Sequence, residues 1–315
     1  MTIRCAVIGV GYLGKFHAQK YAALDSAELV AVVDPDIEAA TALADELGCQ
    51  HCIAHDDILD RVDAVSIVAP TTLHHQIASD CLRRGIHVLL EKPITTTVAE
   101  AEELVALAKA HSAVLQVGHL ERFNPAIMAL GDRLSDQVRF IESHRLAPFK
   151  PRATDVSVML DLMIHDIDII LNLVKSEVSD IRASGASVLS DSVDIANARL
   201  EFANGCVANV TASRISQKSE RKMRIFQQNH YLTVDFQEKV LDVYSRGDEE
   251  MFPGVPDITH DQLSGGESDA LLLEIKDFLS AISHGHAPVV TGEDGKRALE
   301  TAIRISALVP DTQSL

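Results

Sequence analysis

The sequence predicts an α/β protein in two parts, a doubly wound parallel sheet followed by an α+β domain on a mostly antiparallel sheet. Three observations predict it. In the first third, short β-branched runs without polar alternation (Ile3 to Ile8, Leu29 to Val33, Ala64 to Val68, His87 to Leu90, Ala113 to Val117) alternate with helical patterns. Such runs are strands buried on both faces, and the patterns between them (Leu13 to Ala23, Ile37 to Leu47, His74 to Arg84, Val98 to Ala110) are crossover helices. After Pro125 the texture changes to one strong helix, Val156 to Leu173, and then successive strand-like runs with short turns.

Those runs are Ile181 to Val188, Ile195 to Phe202, Val207 to Ser213, Met223 to Phe226, Tyr231 to Phe236 and Lys239 to Tyr244, with Asn204-Gly205 as a hairpin signal. Residues 246–267, rich in Gly, Asp, Glu and Pro, read as a surface loop. Helices near Leu271 to Ser283 and Gly295 to Ala307 follow. The expected boundary falls at 120: residues 1–120 bind a dinucleotide, and residues 121–315 carry substrate binding and oligomerisation. The final helices are free to pack back on the first domain.

Composition sets the outer limits. A 315-residue chain is long for one core and suggests two domains. A net charge of −18 argues against a nucleic-acid or anionic-membrane partner, each of which needs a basic footprint. Five scattered cysteines fit a reducing compartment better than a disulfide scaffold. Cys49 and Cys52 form a lone C-x-x-C without a second ligand pair at zinc spacing, so no metal is expected. The N-terminus carries no signal-peptide pattern, and no stretch reaches the roughly 18 apolar residues of a membrane span. A cytoplasmic location is the expectation.

The first chemical motif is Gly9-Val10-Gly11-Tyr12-Leu13-Gly14, between a buried strand and a helix. Its glycines permit a tight turn, a close phosphate and close helix packing, and the helix N-terminus offers unpaired N–H groups. Asp34 closes the second strand, where it can accept hydrogen bonds from ribose hydroxyls. No Arg or Lys in Pro35-Asp36-Ile37-Glu38 could balance a 2′-phosphate, which favours NAD over NADP.

Two further motifs are weaker alone. Glu91-Lys92-Pro93 follows a strand, where ligands of doubly wound sheets bind; a partly desolvated lysine there can exchange protons, although a surface-loop lysine has the same spacing. Asp161 and His165 are four apart and share a helix face, with Asp168 a turn further on and Asp166 elsewhere. A histidine on so apolar a helix reads as a hydrogen-bonded core residue as readily as a general base.

Three strings together resemble the Gfo/Idh/MocA oxidoreductases: Val68-Ala69-Pro70-Thr71-Thr72-Leu73-His74, Gly85 through Glu91-Lys92-Pro93, and Asp161-x-x-x-His165-Asp166. Pro288 to Gly295 is similar to the family's C-terminal segment. The resemblance implies an N-terminal Rossmann domain with a second α+β domain built on an open, mostly antiparallel sheet, whose free face forms a homodimer or homotetramer contact. It implies NAD held by Gly9, Gly11, Tyr12, Leu13, Gly14, Asp34, Pro70, Thr71, His74, Glu91 and Lys92. Lys92 and His165 then flank the nicotinamide, with Asp161 as a substrate or orienting contact.

Gly118 to Pro125 and Ala212 to Arg224 resemble family members that act on nucleotide-linked amino sugars. The second run concentrates Arg214, Lys218, Arg221, Lys222 and Arg224 in an acidic protein; Arg145, Lys150 and Arg152 form another basic stretch. Arginine forks match the phosphates of a UDP-sugar, and a solvated basic loop would look the same. The resemblance implies oxidation of the C3 hydroxyl of UDP-N-acetylglucosamine, with Arg122, Asn124, Arg152, Asp161, His165, Arg214 and Lys218 as substrate contacts. A downstream aminotransferase would consume the 3-keto product to make a 2,3-diamino sugar for lipid A or another surface glycan. Two alternatives stand beside it, a free-polyol (inositol-type) dehydrogenase and a non-catalytic NAD-binding regulator. Which of Lys92 and His165 is the base stays open.

Overall fold

A computed structural model describes residues 2–134, 137–149, 157–266 and 268–309. The chain opens with β1 (Ile3–Ile8), α1 (Tyr12–Ala22), β2 (Ala27–Val33), α2 (Ile37–Leu47), β3 (Gln50–Cys52), β4 (Ala64–Ile67), α3 (Thr71–Arg83), β5 (His87–Glu91), α4 (Val98–Ala110) and β6 (Leu115–Gly118). After it come a short α5 (Pro125–Met128), β7 (Phe140–Leu146) and α6 (Ile164–Val174), the last entered through a π-helical turn, Met159–Met163. Seven strands follow: β8 (Val178–Ala186), β9 (Ile195–Phe202), β10 (Val207–Ser213), β11 (Glu220–Phe226), β12 (His230–Asp235), β13 (Val240–Phe252) and β14 (Val255–Ser264). Two helices, α7 (Ala270–His284) and α8 (Gly292–Leu308), complete the order.

Two compact units result. Residues Met1–Leu120 and Asp269–Leu299 form the first; Glu121–Ser268 and Glu300–Leu315 form the second. The first holds a six-stranded parallel sheet in the order β3-β2-β1-β4-β5-β6. The order of winding reverses between the parallel neighbours β1 and β4, which opens the crevice where such sheets bind ligands. Its strands are apolar because helices cover both faces: β4 is buried throughout, and Cys5, Val7, Val32 and Leu89 share a core with Tyr21 of α1 and Phe278 of α7. A Lys20–Asp269 ion pair joins α1 to the start of α7. Thr97 and Glu100 build a reciprocal capping box at α4, as the T-x-x-E spacing predicts.

The second unit is an eight-stranded sheet, β14-β13-β12-β11-β7-β10-β9-β8, antiparallel except where β7 meets β10. Its strands alternate as a one-sided sheet must, with Ala196, Ala198, Leu200 and Phe202 of β9 buried in turn. The opposite face carries a row of rings in matched register: Phe140, Phe226, Tyr231, Tyr244 and His260, each stacked or tilted against the next at 4.5–5.8 Å. Such cross-strand ring pairs are the side-chain glue of a sheet.

Two expectations need correction. Residues 246–267 are largely the β13–β14 hairpin rather than a loop, because paired backbones need no apolar alternation to form a ladder. The helix expected from Val156 begins, among the described residues, at Val158, and runs as a π turn before settling into α6. The strand β3, which ends on the second cysteine of the C-x-x-C, pairs with β2 and has no apolar pattern to announce it.

Candidate active site

The glycine motif forms a cradle at the first unit's crevice. Gly9 has φ +90°, and a Cβ there would lie 2.6 Å from the Val68 carbonyl oxygen. A Cβ on Gly14 would collide with the Gly9 carbonyl, so the helix packs on its own approach strand. At Gly11 nothing lies within 4 Å of the Cβ position; the missing side chain leaves space for a ligand. Gly11 caps α1 without any side-chain acceptor, so the first-turn N–H groups face that space. Tyr12 stands exposed with its ring edge-on to Phe16, and Leu13 is half-buried.

Beside the cradle lies a cleft of about 550 Å³, lined by Gly9, Gly11, Asp34, Ile53, Pro70 and Leu73 among others. The Asp34 carboxylate is anchored at its mouth, one oxygen accepting the Val10 N–H at 2.8 Å and the other the Asp36 N–H at 2.9 Å. Pro70 caps α3 and Thr71 opens it. A dinucleotide fits these residues: a glycine space and helix terminus for the pyrophosphate, an acceptor for ribose hydroxyls, and an apolar cleft for adenine.

His74, expected at the cofactor, is buried, with its ring nitrogens 2.8 Å from the Ala69 carbonyl and 2.9 Å from that of Pro93. Burial lowers its pKa, so the ring is a neutral strut that donates to one carbonyl at a time. It ties the strand-end loop of β4 to that of β5. Glu91 is likewise structural: it meets His17 Nε2 at 3.2 Å and accepts the Lys92 N–H at 3.3 Å. Lys92 itself is half-buried.

In the second unit, two buried arginines sort the acids around α6. Arg122 forks onto Asp168 at 2.6 and 2.9 Å. Arg145 forks onto Asp166 at 2.8 and 3.1 Å and reaches Glu121 at 2.9 Å, with its guanidinium over the Phe236 ring. Burial alone would lower the Arg145 pKa, but Asp166 and Glu121 raise it well above the ordinary value. Asp166 and Asp168 are thereby enclosed, whereas Asp161 and His165 stay half-buried. Both belong to the π turn or the first turn of α6, an irregularity common where a helix carries function.

The expected substrate cations are dispersed rather than gathered. Arg122 is locked on Asp168, which gives it a structural place instead of a free fork. Asn124 caps α5 through the Ala126 N–H and donates to the Phe236 carbonyl. Arg214 is buried, 3.8 Å from Asp194, and donates to the Val193 carbonyl. Lys222 pairs with Asp235 and Arg224 with Glu142. Arg221 lies 3.9 Å from Glu121, and Lys218 is exposed in the β10–β11 turn. Lys150 and Arg152 lie outside the described residues. Glu121 and His17 carry no local sequence signal, because they act through Arg145 and Glu91, partners distant in the chain.

A parallel sheet with a glycine cradle and acidic ribose anchor, joined to this mixed sheet, places the chain among the Gfo/Idh/MocA oxidoreductases. The family's N-terminal model, an NAD-binding Rossmann fold, matches residues 3–119, and its C-terminal domain model matches residues 133–232. Among particular relatives, UDP-N-acetylglucosamine 3-dehydrogenase of Acidithiobacillus ferrooxidans is 43% identical over 308 residues, covering 98% of this chain and 97% of that protein. A solved structure of the same enzyme superposes with a TM-score of 0.93 at 42% identity, covering 98% of each chain. The inositol 2-dehydrogenase of Rhizobium meliloti is 27% identical, over 96% of this chain and 95% of that one.

Proposed function

We propose that the chain oxidises the C3 hydroxyl of UDP-N-acetylglucosamine to the 3-keto sugar. Full-length similarity to an enzyme of that name carries the reading. The inositol dehydrogenases are more distant in sequence over the same span. NAD, when bound, supplies the hydride acceptor. Gly9, Gly11 and Gly14 with the α1 terminus hold its pyrophosphate, and Asp34 its adenosine ribose.

His165 serves as base, taking the C3 hydroxyl proton onto a ring nitrogen. Lys92 donates a hydrogen bond to the developing alkoxide, since an alcohol surrenders hydride readily only as its proton leaves. Asp161 orients the sugar or the base. Lys218 supplies charge for the diphosphate; Arg152 joins it on the resemblance alone. A binding module would need neither Lys92 nor His165, which is why a regulator is the poorer reading.

The product is a ketone beside an acetamido carbon, the kind of centre an aminotransferase converts to an amine. Two copies pair through the ring-bearing face of the eight-stranded sheet. The deciding assay incubates enzyme and NAD with UDP-sugars and free inositols while NADH absorbance is followed. Turnover with UDP-N-acetylglucosamine and a product lighter by two hydrogens is the expected result. Reduction of NAD by free inositols alone would overturn the nucleotide-sugar reading.

A further inference from the structure

Behind Glu91-Lys92-Pro93 the first unit encloses three groups that the proposed chemistry does not use. His17 of α1, Glu91 of β5 and Glu274 of α7 bring one nitrogen and two carboxylate oxygens within 4.8 Å of one another. Glu274 is fully buried, and neither of its carboxyl oxygens has a hydrogen-bond partner. An ionised carboxyl so placed, next to a second one, would be too costly to keep.

The hydrogen-bond order around Glu91 can be assigned from its chemistry. A carboxylate only accepts, so His17 Nε2, at 3.2 Å, carries the proton. His17 Nδ1 then accepts from the Ser66 hydroxyl at 3.2 Å, and the buried Tyr21 hydroxyl donates to Ser66 at 2.9 Å. Glu91 receives this chain on one oxygen and the Lys92 N–H on the other. Gly118 leaves it no slack, since a Cβ there would stand 3.0 Å from the whole carboxyl group.

We propose that Glu274 is a positioning residue for Lys92: standing as a neutral acid, it directs its proton towards Glu91 and completes the clamp on the Lys92 backbone. Burial raises the Glu274 pKa well above the ordinary value, and repulsion from Glu91 and Asp277 adds to it. The other groups at this wall are His17 and Tyr21 on α1, and burial keeps the Tyr21 phenol protonated. A divalent cation is the poorer occupant. It would need the lone pair of His17 Nε2, forcing the ring's proton onto Nδ1, so that three protons would share the two hydrogen bonds of the His17–Ser66–Tyr21 chain and one hydroxyl proton would lack an acceptor within it.

The inference rests on the role proposed for Lys92, so its tests include two that bypass catalysis. Difference infrared spectra of wild type against Glu274→Gln should show the carbonyl stretch of a protonated carboxyl at neutral pH. Stability supplies the second. A carboxyl whose folded pKa exceeds its unfolded value, about 4.3, binds its proton more tightly when folded. Its stabilisation is full below that value and is lost as pH rises towards the folded pKa. The wild-type Tm should therefore fall relative to Glu274→Gln as pH rises, with the gap widening on the alkaline side.

In turnover, Glu274→Leu should lower kcat about tenfold or more with KM for NAD little changed, because a small displacement of a reacting group costs rate. Glu274→Gln, which keeps the shape and an N–H donor, should restore most of it. Absence of the carboxyl band, a Gln variant as impaired as the Leu variant, or a stoichiometric divalent cation in the purified enzyme would each overturn the proposal. If Lys92→Ala keeps its turnover, the Lys92 reading fails by itself, while the infrared and melting results still report the state of Glu274.

Discussion

The carboxylate of Asp34 has about four acceptor directions, and backbone N–H groups of Val10 and Asp36 take two of them. The remainder face the cleft, where ribose hydroxyls would fill them. Asp34→Ala should lower the preference for NAD over NADP by roughly 10- to 100-fold, the worth of one charge-assisted hydrogen bond plus relief of charge repulsion. Paired kcat/KM measurements with the two cofactors check this; unchanged discrimination would assign it elsewhere. His165→Asn and Lys92→Ala should each lose about 10²- to 10⁴-fold in turnover while binding NADH normally in a fluorescence titration. A near-normal rate in either variant would remove that residue from the mechanism.

At the scale of elements, α6 is held by buried charge on both sides. Arg122 and Asp168 are both nearly inaccessible, so removing the Asp168 carboxylate takes from the buried guanidinium its paired charge. Asp168→Leu should cost about 3–5 kcal/mol, seen in denaturant unfolding, and Arg122→Met added to it should recover much of the loss. If the single variant were as stable as wild type, Arg122 would be free for the substrate after all. The same pair shows what a sequence can and cannot disclose. Gly9 to Gly14, Asp34 and the buried strands are legible because their signals are local and periodic. Arg122 reads as a substrate fork, and Arg214 as part of a basic patch, because neighbours in sequence gave no sign of Asp168 and Asp194. The β13–β14 hairpin hides for another reason: most of its tip is exposed on both faces, so it lacks the alternation that marks a half-buried strand.

For the whole molecule, the ring row on the outer face of the eight-stranded sheet is the surface we assign to self-association. Its charge must be kept low for two copies to meet there, in a protein whose net charge is −18. Tyr231→Asp with Tyr244→Asp would place four carboxylates in each paired interface. Light scattering after gel filtration should then show monomer, against the dimer or higher multiple that the proposed pairing expects of wild type. A double variant that elutes as wild type would move the contact elsewhere. Glu274, by contrast, is interior, and its pH effect should persist whatever the assembly.

The exposed Tyr12, next to the open space at Gly11, has an optical consequence. The chain has no tryptophan and only four tyrosines, so its intrinsic emission, excited in the phenol band rather than that of phenylalanine, comes from the tyrosines. Tyr21 is enclosed and Tyr231 and Tyr244 are stacked in the ring row, which leaves Tyr12, 83% exposed, as the emitter beside the cofactor cradle. NADH added to the protein should quench this emission as it fills the cradle. Tyr12→Phe should dim the unliganded signal and shrink the quench, turning one ring into a built-in gauge of cofactor occupancy.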